Sequence, residues 1–129
     1  MGARASFQLP EAEADVATAV HRERALHAGG TLAVIAADTA LEVIGAELRA
    51  EFGDRVGLGA LGLTREIALL GPRDAKGLEF DAVIVVDPAG IVAASERGAG
   101  ALYVAMTRAT QRLYLVAAQD SPLPAGLTR

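Results

Sequence analysis

Four charged side chains stand where chemistry on a phosphate is conceivable: Arg73, Lys76 and Glu79 within one polar stretch, and Arg108 farther along. Arginine keeps its charge at any working pH, and its planar fork can donate two bonds to one phosphate. Lys76 adds a compact second charge, and Gly77 lets the backbone approach a ligand closely. Arg73, Lys76 and Arg108 together form an electropositive spot with a carboxylate, Glu79, nearby in sequence. The chain contains no G-x-x-x-x-G-K-[ST] phosphate loop, no G-x-G-x-x-G after a strand, no G-x-S-x-G and no H-E-x-x-H. Basic groups without a phosphate cradle suggest a domain that completes a site begun elsewhere. An arginine supplied across an interface to a transferring phosphoryl group raises the rate by roughly 10³-fold or more. Two plainer readings stand beside this one. Lys76 and Glu79, three apart, suit a solvated ion pair contributing a few tenths of a kcal/mol. Arg108, next to Thr107 near a helix end, suits the negative end of the helix dipole. Spacing alone leaves these open.

The elements that position these residues follow from hydrophobic periodicity. Pro10 with Glu11, Glu13 and Asp15 opens a helix expected to run to about Ala28, with Gly29-Gly30 ending it. Thr31 to Ala37 is an apolar run of strand length, as in a strand covered on both faces. Asp38 is the expected N-cap of a helix whose Leu41, Ile44, Leu48 and Phe52 share one face up to Gly53. Gly57, Gly59 and Gly62 mark an irregular link, and Glu66 to Leu70 reads as a short strand. The charged stretch 71–80 then reads as a loop before an apolar strand, Asp81 to Asp87. A helix over about 95–110, with Leu102, Ala105, Met106 and Ala109 inward, and a strand over 112–118 complete the pattern. Strands alternating with crossover helices predict an α/β doubly wound parallel sheet with helices on both faces. In such sheets ligands sit at the carboxyl ends of the strands, here the loops after Ala37, Leu70 and Asp87.

At 129 residues the chain fits one domain. The expected organisation is a disordered start or boundary over 1–10, a domain over 11–120 and a frayed tail over 121–129. Its 12 basic against 16 acidic residues give a net charge of −4, poor for an independent nucleic-acid binder. Any such contact must be local or shared. The absence of cysteine excludes disulfides and thiolate chemistry and fits a reducing cytoplasm. His21 and His27 lack a third ligand, so a helix surface and no metal is the expectation. No apolar run reaches the length of a membrane span, and neither a signal peptide nor a membrane partner is expected.

Two strings carry a family likeness. Ala75-Lys76-Gly77-Leu78-Glu79-Phe80-Asp81, followed by Val83-Ile84-Val85-Val86, resembles motif V of the UvrD/Rep/PcrA superfamily 1 helicases. Leu102-Tyr103-Val104-Ala105-Met106-Thr107-Arg108-Ala109, followed by Leu113-Tyr114-Leu115-Val116, resembles their motif VI. The likeness extends from about residue 12 to 118. It implies a RecA-like second motor domain, of the phosphate-loop NTPase type but lacking the phosphate loop itself, and inactive alone. ATP with Mg would be held mainly by a first RecA-like domain, the principal partner. By the same resemblance Arg108 reaches the γ-phosphate, and Glu79 meets the ribose. Gly77 lets the loop pass the nucleotide, with Lys76 beside it, and Arg73, Lys76 and Thr107 lie toward single-stranded DNA. Relatives carry His-Ser-Ala-Lys-Gly where this chain has Arg73-Asp74-Ala75-Lys76-Gly77, so the histidine's DNA contact falls to Arg73 or is lost. The stretch Phe52 to Glu66 is too short for the large accessory subdomain, which resembles the compact HelD-like branch, whose members act on RNA polymerase. The arginine-bearing motif IV is missing, as in a fragment of a longer motor. A degenerate motor domain serving as a protein-binding module, and a flavodoxin-like small-molecule enzyme, are the competing expectations.

Overall fold

The computed structural model describes residues 6–8, 16–26, 29–59 and 64–116. The expected helix opening at Pro10, His27, Gly62 and the tail from Ser121 lie outside the described residues. In chain order the elements are β1 (Ser6–Gln8), α1 (Val16–Leu26), β2 (Leu32–Ile35), α2 (Leu41–Phe52), β3 (Val56–Leu58) and β4 (Ile67–Leu70). There follow α3 (Pro72–Ala75), β5 (Phe80–Val86), α4 (Pro88–Ala93), α5 (Gly98–Met106) and β6 (Ala109–Val116). All strands pair in parallel, in the order β1-β6-β5-β2-β4-β3. Ser6–Gln8, assigned by sequence to an unstructured start, instead forms the edge strand beside β6.

Why the sheet is buried on both faces is visible in β2. Leu32 and Val34 point into one core with Ala19 and Val20 of α1 and Ile44, Leu48 and Phe52 of α2. Ala33 and Ile35 point into a second core with Ala75 of α3, Ile91 of α4 and Leu102 and Ala105 of α5. The alternation puts successive β-strand side chains on opposite faces, so an unbroken apolar run is what a two-sided sheet requires. The doubly wound expectation is therefore correct.

Three local expectations change. Asp38 does not cap α2: it opens a 3₁₀ turn, no side-chain cap bond forms there, and its carboxylate lies against Gly71, where a Cβ would collide with it. The stretch 71–80 is not all loop, since Pro72 at the first helical position starts the one-turn α3. The helix expected over 95–110 is present but shorter, as α5, and a separate helix the sequence reading did not give, α4, opens at Pro88 before the chain reverses ahead of Gly98. Ala109 accordingly belongs to β6, while Leu102 and Ala105 are buried as expected.

Gly98 makes that reversal possible. A Cβ there would overlap the backbone of Val92, including its carbonyl, so α5 meets α4 at a distance only glycine allows. Gly98→Ala must push the two helices apart, and overpacking of this kind destabilises by about 1–3 kcal/mol. A thermal midpoint lower by several degrees is the expected result in calorimetry. An unchanged midpoint would mean the α4–α5 contact opens freely.

Among the described residues no helix is long and apolar enough to cross a membrane. Nor do any three metal-ligating side chains converge there. His21 lies exposed on α1, at the helix-surface position expected, with Nε2 2.8 Å from Glu51 Oε2 and its ring against Phe52.

Candidate functional site

The charged stretch starts at one end of the sheet and finishes at the other. Pro72 follows the carboxyl end of β4, whereas Phe80 begins β5 at its amino end. Between them the chain turns at Lys76-Gly77, where Gly77 has φ +85°, a left-handed conformation that a side chain would strain. The charged stretch, expected at the carboxyl ends as the loop after Leu70, keeps only its first part there: Arg73 and Lys76 line that edge, whereas Glu79 stands at the amino end of β5 and Arg108 at that of β6. No ion pair joins Lys76 to Glu79, which removes the solvated-pair reading.

At the amino edge β5 and β6 begin side by side. Phe80 is buried and anchors the loop, and its N–H donates to the carbonyl of Arg108 at 2.9 Å. The Thr110 hydroxyl donates to the Phe80 carbonyl at 3.3 Å, and the register slips between Phe80 and Ala82. These bonds bring the end of the charged stretch and the Thr107-Arg108 turn to one edge. Arg108 is half-buried, with Nε donating to the Val104 carbonyl at 3.0 Å and Nη2 to the Thr107 hydroxyl at 3.1 Å. It therefore does interact with the last turn of α5, as the helix-dipole reading held. Its Nη1 side has no bond within the described residues. Thr107 is exposed at the C-cap of α5, where its hydroxyl bonds back to Tyr103 and Val104.

Glu79 is exposed at the mouth of a cleft of about 670 Å³, beside Gly29, Gly30 and Thr31. The cleft wall is fixed by a reciprocal pair: Thr31 N–H donates to Asp81 Oδ2 at 2.9 Å, and Asp81 N–H donates to Thr31 Oγ1 at 2.8 Å. Beneath it Arg112 of β6 grips the buried Glu23 of α1 in a two-pronged ion pair at 2.8 and 3.2 Å. Hydrogen bonding to Glu23 raises the Arg112 guanidinium above its ordinary value, against the opposing effect of burial. Glu23 occupies the next helical turn of the Val16, Ala19, Val20 stripe, so a charge at an apolar position was the sequence signal for a buried partner.

At the carboxyl edge a groove of about 830 Å³ runs between α3 and α5. Ile91, Ala101 and Val104 floor it, and Arg73, Lys76 and Arg97 stand around it beside the carboxylates of Asp38 and Glu96, the three cations exposed and without an ion pair among the described residues. Arg97 escaped the sequence reading because the α4–α5 reversal that brings it to the groove was taken for helix. Val104 serves both edges, since it lines the groove while its carbonyl holds Arg108.

Residues 73–116, which span both candidate turns, match the UvrD-like helicase C-terminal domain. The fold is similar to a crystal structure of the C-terminal domain of a possible DNA helicase from Lactobacillus plantarum WCFS1, with a TM-score of 0.71 and 27% identity. That similarity covers 96% of this chain and 78% of the other. Among curated proteins nothing matches the chain. The parallel α/β layers are those of a RecA-like fold, and in the matched segment this chain is similar to the UvrD-like helicase C-terminal domain.

Proposed function

We propose that this domain acts as the second motor domain of an ATP-dependent superfamily 1 DNA helicase or translocase. In this reading it supplies Arg108 as an arginine finger to an ATP site shared with a first motor domain. That partner carries the phosphate loop and holds Mg. Glu79 takes the ribose from the same edge, Gly77 lets the loop pass close to the nucleotide, and Lys76 lies behind it. The observation that carries the reading is the 2.9 Å bond from Phe80 N–H to the Arg108 carbonyl, which ties the Glu79 loop to the arginine turn. Coupling to motion needs the arginine to meet ATP better than ADP, so that closure is populated only with the triphosphate. The chain alone is expected to hydrolyse no ATP, and to support hydrolysis stimulated by single-stranded DNA once joined to the phosphate-loop domain. Hydrolysis by the chain alone would overturn the shared-site reading.

The groove of Arg73, Lys76 and Arg97 is the proposed track for single-stranded DNA in the assembled motor; Thr107, at the opposite edge of the sheet, stands apart from it. The apolar floor suits bases, and three cations against two carboxylates on the rim suit phosphates. Replacing Lys76 and Arg97 by alanine is expected to weaken oligonucleotide binding for all sequences alike. The slope of log K against log salt should become shallower by about one for each phosphate that is no longer neutralised. An unchanged slope in a titration across salt concentrations would assign the strand to another surface.

A second reading has its own observation. Only a short connection separates Leu58 of β3 from Ile67 of β4, which leaves no place there for a large accessory subdomain. That favours a compact, HelD-like motor whose partner is RNA polymerase. Co-purification with polymerase, in place of stimulation by DNA, would select it.

A further inference from the structure

Thr107 stands one residue before the arginine on which the proposed function rests, yet its hydroxyl is directed at protein atoms. It lies 2.9 Å from the Tyr103 carbonyl and 3.1 Å from that of Val104, and has one proton to give to either. Its lone pairs remain to accept, and Arg108 Nη2 donates to them at 3.1 Å. Arg108 Nε donates at the same time to the Val104 carbonyl at 3.0 Å. Nε and Nη2 form one side of the guanidinium fork, so the plane is held by that side through two acceptors fixed to one helix end. The outer side, Nη1 with the second Nη2 hydrogen, has no bond within the described residues. A guanidinium can engage a phosphate through either of its forks.

We propose that Thr107 is a positioning residue: it clamps the inner side of the Arg108 guanidinium and thereby presents the outer side to an anionic group. The clamp rests on the reading of Arg108 as the phosphate-facing arginine only for its purpose, not for its existence. Three features suit threonine to the task. A β-branched side chain has few rotamers, the back-bond to the helix fixes the one used, and a hydroxyl already donating is a stronger acceptor. An arginine ordered before its ligand arrives loses less freedom on binding.

The test uses arginine side-chain NMR on the 129-residue chain. It follows exchange of the Arg108 Nε–H with water and rotation of its Nη2 group. In the wild type both are expected to be slower for Arg108 than for the exposed Arg73. Thr107→Val keeps the shape but removes the acceptor. It is expected to speed both by about fivefold or more, the factor that one hydrogen bond to a charged group sustains. Thr107→Ser should restore the slow rates, and Arg112, held by Glu23, should stay unchanged in every variant. No acceleration in Thr107→Val overturns the clamp, as does failure of serine to restore it. Equal acceleration of Arg112 also overturns it, because the change would then be a general loosening. If the clamp is present and Arg108→Ala leaves hydrolysis intact, the phosphate reading of Arg108 fails while the positioning of its side chain by Thr107 stands.

Discussion

Arg108→Ala in the assembled motor is expected to lower ATP turnover by about 10³-fold, some 4 kcal/mol of transition-state stabilisation, with folding intact. The domain's own edge explains why the effect falls on turnover. Arg108 is tied to Val104 and Thr107 and makes no ion pair within the described residues, so little of its energy goes to holding the fold. An interaction made chiefly in the transition state lowers kcat and kcat/KM together when it is removed. Arg108→Lys should rescue poorly, because an ammonium has no Nε to donate to Val104 and cannot offer a planar fork. Steady-state hydrolysis with saturating single-stranded DNA, beside a check of the unfolding midpoint, decides the matter. Wild-type turnover in Arg108→Ala would make the arginine a cap of α5 and nothing more, and the protein-binding module would become the better reading.

Arg112→Ala is expected to have the largest effect on stability. Glu23 is 1% exposed and Arg112 17%, and their two bonds join α1 to β6 across the core. Removing the cation leaves a buried carboxylate without its partner, a change that destabilises by about 3–5 kcal/mol. Against a total of about 5–15 kcal/mol for a domain, that is a large share. Urea unfolding should show a lower midpoint at an unchanged slope. Replacing both partners together by Leu and Met should be far milder, since the fold then loses the attraction and the desolvation penalty at once. A loss below about 1 kcal/mol for Arg112→Ala would place the pair with surface bridges. The raised Arg112 value also fixes a sign. A group whose folded value exceeds its unfolded one stabilises fully below the unfolded value and ceases to as pH rises through the folded one. For arginine that window lies far above neutrality, so this contribution should be flat across the range in which a motor works.

The amino-acid sequence by itself determined the layer structure and the two motif-bearing turns. Leu32 to Ala37 and Ala82 to Val86 are too uniformly apolar for any sheet with a wet face, and the Ile44, Leu48, Phe52 stripe has only one helical face to bury. Gly77 was legible as a point of backbone freedom in the charged stretch, and the structure uses it at a φ of +85°, which few other residues accept. Tertiary structure decided what sequence spacing could not. Whether Lys76 and Glu79 pair depended on the chain crossing from one end of the sheet to the other between them. The short strands β1 and β3 are defined by their partners β6 and β4, and three residues carry too little periodicity to declare a strand alone. The break between α4 and α5 rests on a contact of Gly98 with Val92, and it alone brings Arg97 to the groove. Glu23 and Arg112 lie far apart in the chain, and only the packing of α1 against β6 turns two ordinary charges into one buried pair. Local propensity and pattern are written in neighbouring residues, whereas a site shared between strand ends exists only once the sheet order is set.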